Sequence, residues 1–172
     1  MASILKTDKI EGVTASGTVQ MPAGHVVQTV LHEYQTYTEI ASDSNTDVGG
    51  SSFSFTPKFS SSLLIISTVT HVNWGRSSAS GQGCTVNIHF DGSLIKTSAQ
   101  DYENYQRASS GGDHFFYSRV MKEHSTTISD TTAKTIKLQA RPFATGDSGR
   151  MAVNYGSDSN FYSTIKVQEI AQ

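Results

Sequence analysis

Ser61–Trp74, SSLLIISTVTHVNW, is the longest apolar and β-branched run in the chain, and it limits the fold more than any other stretch. Alternation at period two puts Leu63, Ile65, Ser67, Val69 and His71 on one face and Leu64, Ile66, Thr68, Thr70 and Val72 on the other. Both faces begin apolar. Such a strand belongs in the middle of a sheet, covered on one side by a second sheet and on the other by a neighbouring subunit. It falls short of the roughly 20 apolar residues that span a bilayer.

The remaining segments read as partners for this strand. His25–Ile40 alternates as a first long strand with one wet face, Ala41–Gly50 is turn-rich, and Ser51–Thr56 projects Phe53 and Phe55 to one side before Pro57 stops it. Arg76–Gly83 is small and polar, a loop. Cys84–Phe90 alternates strictly, with Cys84, Val86, Ile88 and Phe90 on one face. Asp91-Gly92 marks a tight hairpin, because both residues accept the positive φ that a two-residue turn requires. Ala99–Gly112 is a long polar loop bearing Tyr102 and Tyr105. Asp113–Glu123, Lys134–Phe143, Met151–Tyr155 and Phe161–Ile170 complete about nine strands with no helical periodicity, the pattern of an all-β, jelly-roll-like antiparallel sandwich. The predicted core is Leu63, Ile65, Val86, Ile88, Leu138, Ile165 and Val167, with Tyr162 or Ser163 facing inward as well.

Residues 1–24 differ: few large apolar side chains, Gly12 and Gly17 as breakers, and Met21-Pro22 as a hinge. They predict an extended arm in which Ile4, Leu5, Ile10, Val13 and Val19 are spaced to dock on something. Lys6, Asp8 and Lys9 interrupt what a secretory signal would keep apolar. The head is then residues 25–172.

Function is constrained mainly by exclusion. A net charge of -2 without a basic stripe gives phosphate backbones no electrostatic footprint. One cysteine, Cys84, allows no intrachain disulfide framework. Ser93-Leu94-Ile95-Lys96 matches SxxK, but the serine follows a hairpin instead of opening a helix, and no SDN or KTG accompanies it. The six histidines never pair at i, i+2 or i, i+4, so one chain offers no metal site, although a three-fold axis could share one histidine per chain. Asp101, Glu103, Asp113, Asp147 and Asp158 fall in predicted loops with no apolar setting to raise a pKa, so no catalytic residue is assigned. No metal or cofactor is expected. Tyr102, Tyr105 and Trp74 could stack on sugar rings or anchor a protein interface.

Five phrases resemble a module of tail-fibre and other virion surface proteins of bacteriophages, especially marine ones: MPAGHVVQTV at Met21–Val30, SFSFTPKFSSSLLIISTV at Ser52–Val69, VNIHFDGSLI at Val86–Ile95, KTIKLQARP at Lys134–Pro142 and STIKVQEIAQ at Ser163–Gln172. The leader MASILKTDKIEGVTASGTV is similar to the N-terminal attachment segment of such proteins. The likeness covers nearly the whole chain and carries no catalytic signature. It implies a homotrimeric β-sandwich head mounted on the virion by residues 1–24, partnered with other virion proteins, without membrane insertion. It fits both a tail-fibre tip that contacts host glycan or protein and a capsid decoration protein.

The resulting expectation is a non-enzymatic virion structural protein, tail-fibre-like. Loops 76–83, 99–112 and 146–148 are exposed, and Tyr102, Tyr105, Arg107 and Arg76 are first in line for receptor contact. A decoration or cement protein is the alternative within the same class, and a lectin-like module or a glycan depolymerase are the alternatives outside it.

Overall fold

The computed structural model describes residues 23–76, 81–95, 104–107, 114–143, 149–155 and 162–172. Twelve strands and no helix occur among them. They form two six-stranded antiparallel sheets facing each other as a β-sandwich, as the alternation predicts.

The first sheet is built on β5 (Leu63–Arg76). One edge of β5 is paired along its whole length by β9 (His114–Thr127). Its other edge is shared end to end by β12 (Ser163–Ile170), over Leu63–Val69, and β11 (Arg150–Val153), over Val72–Gly75. β1 (Val26–Tyr34) lies outside β12, and β2 (Thr38–Ile40) outside β11. The second sheet centres on β10 (Lys134–Pro142) and β6 (Gly81–Phe90). β3 (Thr46–Asp47) and β4 (Phe53–Phe55) flank β10, while β7 (Ser93–Ile95) and β8 (Asn104–Arg107) flank β6.

Leu64 and Ile66 from β5, Ile165 and Val167 from β12, Val86 and Ile88 from β6 and Ile136 and Leu138 from β10 are all at most 1% exposed. Full burial of each such side chain contributes about 1.5–3 kcal/mol. Five of the seven expected core residues are here. Leu63 and Ile65 are not: they are half-buried on the outer side of the sheet, and their neighbours Leu64 and Ile66 take the core. Alternation cannot choose between two faces that both start apolar; the register does, by setting Ile66 opposite Val167.

Other boundaries also move. The expected strand His25–Ile40 breaks after Tyr34 and resumes at Thr38. β3 lies inside the expected Ala41–Gly50 loop, where Gly50 turns at φ 74 and a Cβ would sit 2.7 Å from Thr36 Oγ1. The Arg76–Gly83 loop is shorter than expected, since β5 reaches Arg76 and β6 starts at Gly81. The Ala99–Gly112 loop is interrupted by β8, whose backbone pairs with Gly81–Cys84. Ser163 is buried and Tyr162 exposed. Asp91 and Gly92 make the expected hairpin turn, at φ 45 and φ 87.

Two buried polar groups tie elements of the sandwich together. Glu169 is fully buried, and its carboxylate accepts bonds from Lys58 N–H (2.9 Å), Phe59 N–H (2.9 Å), Ser62 Oγ (2.7 Å) and Gln28 Nε2 (2.6 Å). Burial pushes its pKa up, but these donors together outweigh burial and hold it below the ordinary glutamate value. The clamp fastens the β4–β5 connection to β1 and β12. Lys122, on the inner side of β9, is 8% exposed and donates to Asn87 Oδ1 at 2.8 Å, linking the two sheets.

Candidate functional site

Of the expected receptor contacts Tyr102, Tyr105, Arg107 and Arg76, the described side chain is that of Tyr105. Tyr105 is 53% exposed, but it lies in a strand, edge-on to Phe143 at 5.4 Å and across Gly81, where any side chain would collide with its ring. It therefore covers a glycine in the second sheet instead of tipping a loop. The backbone of Arg107 ends β8 opposite Gly81, whereas that of Arg76 ends β5 in the other sheet. Tyr102, the 146–148 loop, the five acidic residues weighed as catalysts and the arm residues Ile4, Leu5, Ile10, Val13 and Val19 lie outside the described residues.

The structure instead brings together three tyrosines that are distant in sequence. The cross-strand row Glu39–Ala152–Asn73–Tyr117 runs across β2, β11, β5 and β9 on the outer side of the first sheet. Ala152 and Asn73 are 5% and 6% exposed and make a low floor. Taller side chains surround it, leaving a recess of about 190 Å3 lined by Tyr37, Glu39, Asn73, Arg150, Ala152 and Tyr155. A shallower one of about 30 Å3, lined by His71, Tyr117 and Tyr155 among others, adjoins it. Tyr155 is the shared wall. Its ring centroid lies 6.0 Å from that of Tyr37 and 5.9 Å from that of Tyr117, both pairs tilted.

A neighbouring polar knot holds the chain bends that precede Tyr37 and Tyr155. Asn154 adopts φ 54, a left-handed conformation that asparagine tolerates better than most residues, and this bend precedes Tyr155. Its side-chain nitrogen donates to the carbonyls of Tyr34 (3.3 Å) and Thr36 (3.4 Å), just before Tyr37. Its side-chain oxygen accepts from Ser163 Oγ at 2.6 Å, and that hydroxyl accepts from His71 N–H at 3.0 Å. The chain bends bearing Tyr37 and Tyr155 are thus tied to each other and to β5. Buried polar bonds of this kind are rigid because breaking one strands a partner.

Charge is placed beside the rings. Tyr37 Oη donates to Glu39 Oε2 at 3.2 Å, while Arg150 Nη1 stands 3.8 Å from Glu39 Oε1. The Arg150 guanidinium carbon sits 5.1 Å from the Phe115 ring centroid. Burial, then the adjacent Glu39 charge, raises the Tyr37 pKa, so the phenol stays protonated as a donor. Burial, then Arg119, lowers that of His71, leaving the imidazole neutral at pH 7. The arrangement offers ring faces, a carboxylate acceptor and a guanidinium donor on a rigid sheet, which suits the recognition of a small polar ring.

Sequence reasoning missed this site because its residues come from four strands or strand ends. One signal was present: in Phe115-Phe116-Tyr117, alternation sends Phe116 to the core, against Trp74, and Tyr117 to solvent at 67% exposure.

No family model matches the chain. No curated protein matches it either. Among solved structures it is similar to a chain of the T13 IBDV viral particle, at 16% identity and a TM-score of 0.20, over 82% of this chain and 36% of that one. The chain thus spans about a third of that neighbour's length. A likeness of this extent does not bear on function.

Proposed function

We propose that this protein is a non-enzymatic virion structural protein whose sandwich head contacts a saccharide on the host surface through the Tyr37–Tyr117–Tyr155 recess. Residues 1–24 attach the head to the particle, and three copies assemble together. The observation that carries the contact assignment is the recess itself: tyrosine rings 44–67% exposed, two of them on chain bends tied together by buried hydrogen bonds, beside an arginine and a glutamate. Exposed aromatic side chains are costly to keep in water unless something covers them. The virion setting is supported by the sequence resemblance alone.

Binding of the full-length protein to an immobilised glycan panel tests the contact, with Tyr155→Ala and Tyr105→Ala compared against wild type. Loss with Tyr155→Ala and retention with Tyr105→Ala is expected; loss only with Tyr105→Ala would return the site to the β8 region. Light scattering behind a sizing column tests assembly, where a monomer mass would sink the trimer. A second reading, a capsid decoration protein, is favoured by Leu31 and Met121, 57% and 72% exposed on the same outer side of the first sheet. Such a protein would bind particles lacking it and ignore the glycan panel.

A further inference from the structure

We infer that the saccharide taken by this recess is an acidic one, a uronic-acid-type ring whose carboxylate is received by Arg150. This rests on the saccharide-contact reading and narrows it.

Three features of the rim carry the inference. The Arg150 guanidinium carbon lies 5.1 Å from the Phe115 ring centroid, a cation–π contact that leaves its N–H groups available. Its approach to Glu39, 3.8 Å, is longer than a hydrogen bond, so Glu39 neutralises the charge only in part and leaves the donor fork to a ligand. Arg119 is the partner of His71 in the next cross-strand row, beside the shallower recess, and adds a second positive charge on the same outer side. Among the described residues lining the recess, the opposing charge is the carboxylate of Glu39, one oxygen of which already accepts from Tyr37. The guanidinium, 52% exposed at its side chain, is therefore the open charged donor of the recess, and its chemistry suits an anion.

The main rival is a quaternary ammonium held in a cage of rings. A cage for such a cation needs rings splayed around a central void. Here Tyr155 packs against both other tyrosines, at centroid distances within the usual range of ring contacts. The rings form a folded platform, and a pyranose ring can lie on it. The about 190 Å3 of the recess is below the roughly 300–1,000 Å3 of clefts that enclose drug-sized ligands, so one sugar ring is accommodated while the rest of a chain stays in solvent. In that pose the carboxylate meets Arg150 in the forked geometry guanidinium groups favour, and ring hydroxyls donate to Glu39.

The experiment is ligand-observed NMR titration of the full-length protein with two probes, methyl β-D-glucuronide and methyl β-D-glucoside. The uronide should bind about tenfold or more tightly, the difference expected from one charge-assisted bidentate contact. Arg150→Gln should erase that preference, bringing the uronide down to the affinity of the glucoside or below. Tyr155→Ala should weaken both probes, and raised salt should weaken the uronide alone. Equal affinity for the two probes would overturn the acidic assignment and leave the recess as a saccharide site. A folded protein that binds neither would overturn both. Persistence of the uronide preference in Arg150→Gln would remove Arg150 from the proposal.

Discussion

Glu169 and Glu39 are both carboxylates of the first sheet, and their surroundings differ in every respect that matters. Glu169 is fully buried and surrounded by donors from Lys58, Phe59, Ser62 and Gln28. Glu39 is 48% exposed at its side chain, touches Tyr37 and stands beside Arg150 without closing on it. A carboxylate whose bonding capacity is filled by its own chain serves the fold. One left partly unfilled beside exposed rings is available to a ligand. The comparison predicts that variants at the two places will separate cleanly, one set by stability and the other by binding.

The largest effect belongs to Glu169→Ala. It strands the buried N–H groups of Lys58 and Phe59 and should cost about 3–5 kcal/mol, read as a fall in the urea midpoint with probe binding lost only through unfolding. A change in binding at unchanged stability would break the contrast. The same group makes stability depend on pH. Because the folded pKa is lowered, Glu169 contributes above the ordinary glutamate range, and that contribution disappears as pH falls through the folded value. Urea midpoints measured from about pH 7 to about pH 3 should therefore fall more steeply in wild type than in Glu169→Gln. Parallel curves would mean the clamp does not favour the ionised form.

Next in size is the difference between neighbours on β5. Leu64→Ala should destabilise by about 2–5 kcal/mol and Leu63→Ala by less than about 1 kcal/mol in chemical denaturation, because only the first leaves a cavity in the core. A large loss at Leu63 in the assembled protein, absent in a dissociated one, would mean that a subunit covers that face. Asn154→Ala follows, at about 1–3 kcal/mol, since it removes the amide that joins the carbonyls of Tyr34 and Thr36 to Ser163. It should also weaken probe binding by disordering the rings. Smallest in stability is Tyr155→Ala, about 1 kcal/mol or less in thermal melts, with binding lost nonetheless.

The sandwich was legible wherever one face of a strand is apolar and the other is not. Cys84–Phe90 and Lys134–Pro142 show that alternation, and both are strands with the expected sides buried. The Asp91-Gly92 turn was legible because its backbone requirement is local. Leu63 and Ile65 were misplaced because SSLLIIS carries no contrast between faces, and only pairing with β12 decides. The candidate site was hidden for a related reason. Tyr37, Tyr117 and Tyr155 become neighbours through the β5–β9 and β5–β11 registers and through the bend at Asn154, none of which leaves a local mark on the residues involved. Tyr102 and Tyr105 stand out in the sequence because they lie in a long polar segment that reads as an exposed loop, whereas β8 makes Tyr105 part of a sheet.

Lys122 has a consequence for crowding. β9 presents fourteen residues of backbone and, among the described residues, pairs on one side only, with β5. A bare strand edge of that length is an invitation to polymerise. Stacking of identical copies would pile Arg119 on Arg119, Lys122 on Lys122 and Glu123 on Glu123, columns of like charge along any growing fibril. Drawing Lys122 inward to Asn87 also holds the strand against sliding, since a shift of one residue would pull the ammonium from its acceptor and drive Met121 into its place. Copies held close together can therefore remain separate folded units.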